Sequence, residues 1–210
     1  MQITGMLWGR KLLDLVEYPH SEVRGPELSV DDIKDMIKRH NEIFIKPVFK
    51  GGVGKKGKSG LIGRAKNFTD ALSEKERLYF AKHKIGNISA KSDGVTYEAA
   101  VPADHEVYFS ISDSTIHRSP AMTLTHHGGV DIEDLPEDKI AVVPFDALTG
   151  LKAFHVSNAL VGLGAPTAII SPLVQNLPKL WDLYNNYGMT MLELNPIRMM
   201  PVKGGRYAPL

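Results

Sequence analysis

From Ile43 to Thr69 the chain has no Asp or Glu, yet it carries Lys46, Lys50, Lys55, Lys56, Lys58, Arg64 and Lys66 interleaved with Gly51, Gly52, Gly54, Gly57, Gly60 and Gly63. Glycine lets backbone amides approach an anion closely and adopt the left-handed angles of an amide nest, while lysine adds point charges. Polyphosphate is the natural ligand of such a loop, and a solvated basic hairpin is the plain alternative. The string Gly52–Ser59 also reads as a Walker A motif, with Lys58 as the phosphate lysine and Ser59 as a Mg2+ ligand. A P-loop NTPase needs a helix directly after that string, and here Gly60 and Gly63 would fall in its first turns. Leu61 and Ile62 read instead as the return strand of a hairpin. In favour of the P-loop is IAVVPFD, an apolar run ending in Asp146 that resembles a Walker B strand, although Pro144 interrupts it.

Oxygen ligands form a second set. Glu98 and Glu106 lie eight residues apart, on either side of Pro102-Ala103-Asp104. A strand, a bend and a second strand would make a hinge with open backbone groups and a carboxylate on each side, able to accept from an amino group or a sugar hydroxyl. Ordinary surface acids beside a turn would look the same. In MTMLELNPIRM, Leu192 and Leu194 alternate with Glu193 and Asn195, so one face is apolar and the other carries two oxygen donors. Mg2+ takes hard oxygen ligands and needs only one or two from protein, which Glu193 and Asn195 supply. A half-buried edge strand with polar outer residues is the competing reading. His126 and His127 are adjacent; neighbours on a strand face opposite sides, so a structural or lid role is expected rather than a two-histidine ligand pair.

The elements that must position these residues follow from pattern. A short amphipathic helix spans 6 to 17, stopped by Pro19, and a second begins after an N-cap at Ser29 and ends at Lys38, Arg39 and His40. EIFIKPVF reads as a strand feeding the glycine loop, and a helix is expected from Thr69 to about Lys84 with Gly86 just past its end. Residues 94 to 101, 105 to 111 and 120 to 125 read as three antiparallel strands. Helices follow over 151 to 163 and 165 to 187, the second bent or broken at Pro172 and Pro178. MTMLELNPIRM is a strand, and VKGG a turn into another.

Taken together, IFIKPVFKGGVGKKGKSGLIG, YEAAVPADHE, THHGGVDIEDL, FDALTG and LELNPIRM resemble, in order and spacing, the ATP-grasp part of the succinyl-CoA synthetase β subunit and of ATP-citrate lyase, from about Lys11 to the last residue. The resemblance implies an α+β ATP-grasp fold of two lobes with the nucleotide between them: a small lobe over 21 to 103, and a second over 1 to 20 plus 104 to 210. It implies that Lys46 contacts the ATP phosphates, that Gly52, Val53 and Gly54 give backbone contacts, and that Glu98, the backbone at Val101 and Glu106 hold adenine and ribose. Asn195 would ligate Mg2+, and Glu193 would sit near the site where phosphate passes to a histidine. That histidine and the CoA site would belong to an α-type partner subunit or domain, with CoA and a citrate- or succinate-type carboxylic acid as the other reactants. Two departures stand out. His127 occupies the place of the family's usual acid before Gly-Gly-Val, and the strand bearing a further Mg2+-binding Asp would continue past Leu210, so the chain reads as C-terminally truncated and inactive as a ligase on its own.

Composition narrows the classes. With 25 Lys+Arg against 24 Asp+Glu, the net charge of +1 gives no general attraction for nucleic acid or an acidic membrane. The absence of cysteine excludes disulfides and thiolate chemistry, and the N-terminus has no apolar run long enough for a signal or a membrane span, so a cytoplasmic protein is expected. A non-catalytic nucleotide-binding module remains the alternative outside enzymes.

Overall fold

The computed structural model describes residues 5–49, 60–79, 82–85, 88–129 and 132–210. Gly52, Val53, Gly54, the rest of the Walker-like string and Gly86 lie outside the described residues. The chain divides into two compact units, Met1–Lys11 with Ser21–Ala100, and Leu12–His20 with Val101–Leu210. Helix α1 (Met6–Leu15) runs across that division.

In the first unit, β1 (Val23–Arg24) precedes α2 (Val30–His40), whose Ser29 N-cap accepts from the Asp32 amide at 3.2 Å. Asn41 ends α2 in the left-handed region at φ 62°, its amide donating to Ile37 O. Strand β2 (Ile43–Val48) alternates cleanly: Ile43, Ile45 and Pro47 are buried while Phe44, Lys46 and Val48 are half-exposed on the other face. It pairs antiparallel with β3 (Gly63–Ala65), which leads to α3 (Phe68–Leu78), N-capped by Asn67. After β4 (Lys82–Ile85) and β5 (Ile88–Lys91) comes β6 (Gly94–Ala99), completing a sheet of order β1-β6-β2-β3. Ile33, Met36 and Ile37 of α2 pack with Ile43, Ile45, Val95, Tyr97 and Leu78. Each fully buried aliphatic side chain there contributes about 1.5–3 kcal/mol.

One expectation is corrected here. The helix drawn from Thr69 to about Lys84 stops at Leu78, and Lys82–Ile85 is instead a strand in which Ile85 pairs with Ile88. The cause is a cap from downstream: the Ser92 hydroxyl donates to Leu78 O at 2.7 Å, satisfying a carbonyl that a continuing helix would have used. The helix that the P-loop alternative requires directly after its string does not follow Gly60. The chain after Gly60 enters β3, antiparallel to β2, and the next helix starts only at Phe68.

The second unit is built on β7 (His105–Ser114), β8 (Ser119–Thr125) and β9 (Ala141–Pro144), then α4 (Ala153–Gly162), α5 (Thr167–Asn176) and α6 (Lys179–Asn186), and finally β10 (Met191–Val202) and β11 (Arg206–Pro209). The sheet order is β11-β10-β7-β8-β9, every neighbour antiparallel. Helix α5 continues through Pro172, and the break comes at Pro178, the N-cap of α6. Val107, Phe109, Ile111, Met122 and Leu124 of the sheet are fully buried, as are Val156, Leu160, Ile169, Leu173 and Leu180 of the helices. The β10–β11 turn uses Gly204 and Gly205 at φ 83° and 68°, angles that glycine adopts without steric cost. Leu210 continues that ladder, exchanging both backbone hydrogen bonds with Arg198.

Candidate functional site

Lys46 and Glu98 face each other in the first unit. On β2, Lys46 lies opposite Thr96 of β6, and Phe44 lies opposite Glu98, so all four side chains share the face turned away from the isoleucines. The Lys46 ammonium is ion-paired with Glu98 Oε2. Glu98 Oε1 lies 3.3 Å from the Thr96 hydroxyl, whose oxygen is also 3.4 Å from Lys46 O. The Lys46 side chain is 28% exposed and that of Glu98 9%, so the carboxylate is nearly dry while the ammonium keeps access to solvent. Phe44 walls the pair: Lys46 Nζ lies 5.9 Å from its ring centre and the Arg64 guanidinium 5.2 Å.

On the same unit, Glu22 is gripped by two guanidinium groups and an imidazole. Arg39 makes a fork to both of its oxygens, His40 Nε2 lies 2.8 Å from Oε2, and Arg24 Nε donates to Oε1 at 3.0 Å. The Arg39 hydrogen bonds, opposed by partial burial and helped by His40 and Arg24, hold the Glu22 carboxyl at about 2.

In the second unit, Glu106 and Arg198 are opposite one another on β7 and β10, with Arg198 Nη2 3.2 Å from Glu106 Oε1. Arg198 Nη1 also donates to Val101 O at 3.4 Å. Gly128 N donates to Glu106 O at 2.8 Å, and a Cβ on Gly128 would stand 2.6 Å from the Val107 carbonyl carbon, so only glycine lets these backbones meet. The Glu106 carboxylate crosses the space above Gly129, where φ is +74°.

Glu193 and Asn195 are exposed on β10 while Leu192 is buried and Leu194 half-buried. Glu193 lies opposite Ser110, and the ladder shifts register between Leu194 and Ile197, where the Asn195-Pro196 bond is cis. Among the described residues no hydrogen bond or ion pair engages either side chain, so their oxygens are open to a ligand. Among the described residues, too, no group of three or more His, Cys, Asp and Glu converges.

The alternation argument for His126 and His127 does not apply, because β8 ends at Thr125. Their rings lie together, centroids 4.1 Å apart at 36°. His126 Nε2 donates to Leu163 O at 3.1 Å, tying this bend to the end of α4. Burial, and then the charges of His126 and Lys139, hold the His127 ring below the usual imidazole range.

Sequence reasoning did not single out Arg198, Thr96 or Gly128. Arg198 stands three residues past Asn195, inside a segment already of interest, but its tie to Val101 spans 97 positions and leaves no local signal. The cluster of Glu22, Arg39 and His40 was hidden for the same reason.

These antiparallel sheets and helices are those of a known class. Residues 16–199 match the ATP-grasp domain family, and the chain belongs to it. It is 25% identical over 178 residues to the β subunit of an ADP-forming succinate–CoA ligase from Desulfatibacillum aliphaticivorans, covering 82% of this chain and 46% of that one. With a subunit of the ADP-forming sulfoacetate–CoA ligase of Bilophila wadsworthia, it shares 28% identity over 147 residues, 69% of this chain and 38% of that one. The chain therefore spans less than half the length of these curated relatives. Among solved structures, the ATP citrate lyase of Methanothrix soehngenii in complex with citrate and coenzyme A superposes with a TM-score of 0.66 at 21% identity, covering 95% of this chain and 45% of that one. The dinucleotide forming acetyl-coenzyme A synthetase 1 of Ca. Korarchaeum cryptofilum, in complex with coenzyme A and Ca-AMPCP, gives 0.68 at 14% identity, covering 96% and 87%. At these identities the superpositions establish the α+β ATP-grasp fold. Among the described residues, no helix is long and apolar enough to cross a membrane.

Proposed function

We propose that this chain is the ATP- and Mg2+-binding portion of an ATP-dependent carboxylic acid–CoA ligase of the citrate or succinate type. The observation that carries this reading is Lys46: within an ATP-grasp fold, an ammonium on the open face of β2 is held by a nearly buried carboxylate yet remains within reach of solvent. In the proposal Lys46 meets the phosphates together with the backbone of Gly52, Val53 and Gly54. Glu98, the Val101 backbone and Glu106 receive the adenosine end. Asn195 and Glu193 fit Mg2+ because both are exposed and unengaged oxygen donors on one strand, Asn195 as its ligand and Glu193 beside the phosphate to be transferred. Bound Mg2+ would supply charge neutralisation at the phosphates. In the proposal, phosphate passes through a histidine of an α-type partner to the acid, and the CoA thiol captures the acyl group of that acyl phosphate as inorganic phosphate leaves. The relatives' names, which are CoA ligase subunits, support the class of reaction.

The experiment is Mg2+-ATP calorimetry on Lys46→Ala and Lys58→Ala. Losing the charge-assisted contact of Lys46 should cost on the order of 1.5–3 kcal/mol, roughly ten- to a hundred-fold in affinity, and losing Lys58 well under about 1 kcal/mol. Abolished binding in Lys58→Ala with intact binding in Lys46→Ala would overturn the assignment.

A further inference from the structure

We infer that Glu98 releases Lys46 to a polyphosphate only when the nucleoside end of the same ligand is present, so that the first unit selects ATP over bare polyphosphate. The inference rests on the nucleotide-binding reading above. An ionised carboxylate as enclosed as Glu98 needs compensation at both oxygens. Its described partners are Lys46 on Oε2 and the Thr96 hydroxyl on Oε1. Thr96 has a single hydroxyl proton and a second acceptor in reach, Lys46 O, so the ammonium supplies most of what Glu98 receives.

A phosphate chain that draws Lys46 away therefore strands a buried negative charge and places more negative charge beside it. Tripolyphosphate brings no hydrogen-bond donor to replace the ammonium. A nucleoside brings the amino hydrogens of its base and the hydroxyls of its ribose, which a carboxylate accepts readily. Once such a donor is on Glu98, Lys46 moves to the phosphates without leaving an uncompensated charge. The two ends of the ligand are then coupled through one ion pair, each favouring the other. Arg64, on the far side of Phe44 and exposed, does not substitute for Lys46 at Glu98.

The test is calorimetry of the whole chain with Mg2+-tripolyphosphate, Mg2+-ATP and adenosine, on the unaltered protein and on Glu98→Gln, which removes the charge and keeps the shape. Tripolyphosphate should bind about ten-fold or more tightly to Glu98→Gln, and the preference for ATP over tripolyphosphate should narrow by the same factor. A purely structural Glu98 would instead weaken all three ligands in parallel. Tripolyphosphate binding that is unchanged or weaker in Glu98→Gln, while the unaltered protein binds Mg2+-ATP, overturns the inference and leaves the nucleotide reading standing. If the unaltered protein does not bind Mg2+-ATP, the nucleotide reading falls and the inference with it. Should Glu98→Gln fail to fold, Thr96→Val decides: with its second partner gone, Glu98 holds Lys46 harder and the ATP preference widens several-fold, and an unchanged preference refutes the coupling.

Discussion

Glu98 and Glu106 each face a cation across a strand pair, and burial sets them apart. The Glu98 side chain is 9% exposed against Lys46, whereas Glu106 is 34% exposed against Arg198. Separating the first pair leaves a charge in a dry place, and separating the second leaves one that water solvates. Two ion pairs of similar chemistry thus have different consequences, and the enclosed one constrains what the site can release.

Lys46→Ala attacks that contrast most directly. Its unfolding free energy in urea should fall by about 3 kcal/mol, the cost of an unpaired buried carboxylate, and Lys46→Ala/Glu98→Gln should recover much of it. Gly128→Ala tests the other side of the comparison, where Glu106 is fixed by backbone contact rather than by its charge. The added Cβ meets Val107 backbone at 2.6 Å, and a loss of about 1–3 kcal/mol by the same measurement is expected.

Glu22 is the intermediate case, 18% exposed and held by Arg24, Arg39 and His40. Its carboxyl lies at about 2 instead of the ordinary 4.5, so its stabilisation is fully present above pH 4.5 and is lost as pH falls toward 2. The melting temperatures of the unaltered protein and Glu22→Gln should therefore converge across that window, and a constant difference would mean that packing, not charge, holds the site. Smallest of all, Arg198→Ala should cost under about 1 kcal/mol of stability; a loss equal to that of Lys46→Ala would erase the distinction.

Local signals in the sequence were strong where neighbours in the chain decide the outcome. Ser29 and the Asp pair start α2, the alternation in EIFIKPVF sets the faces of β2, and the glycines after Lys203 make the turn into β11. They failed at α3, whose end is set by Ser92, fourteen residues past the carbonyl it caps. For the site, residue types were legible and partnerships were not. That Lys46 and Glu98 are paired depends on the β2–β6 register, which places Glu98 opposite Phe44 and Lys46 opposite Thr96. Strand alternation does not govern His126 and His127, because β8 ends at Thr125.

The register shift in β10 has a further consequence, best seen as a change of reading frame. Upstream of the shift the inward positions are even-numbered, Leu192 and Leu194, and downstream they are odd, Ile197 and Met199. The extra residue lets one strand end an apolar row, expose Asn195 and resume the row in the opposite phase. Regular pairing straight through Asn195 and Pro196 would turn Ile197 and Met199 outward, whereas deleting Pro196 removes the extra residue and its offset together, so both keep their inward places and only the irregular backbone beside Asn195 is lost. The length of this segment is therefore as much a part of its meaning as its composition: a one-residue deletion there should leave the apolar row in place and cost the local backbone geometry that sets Asn195 apart.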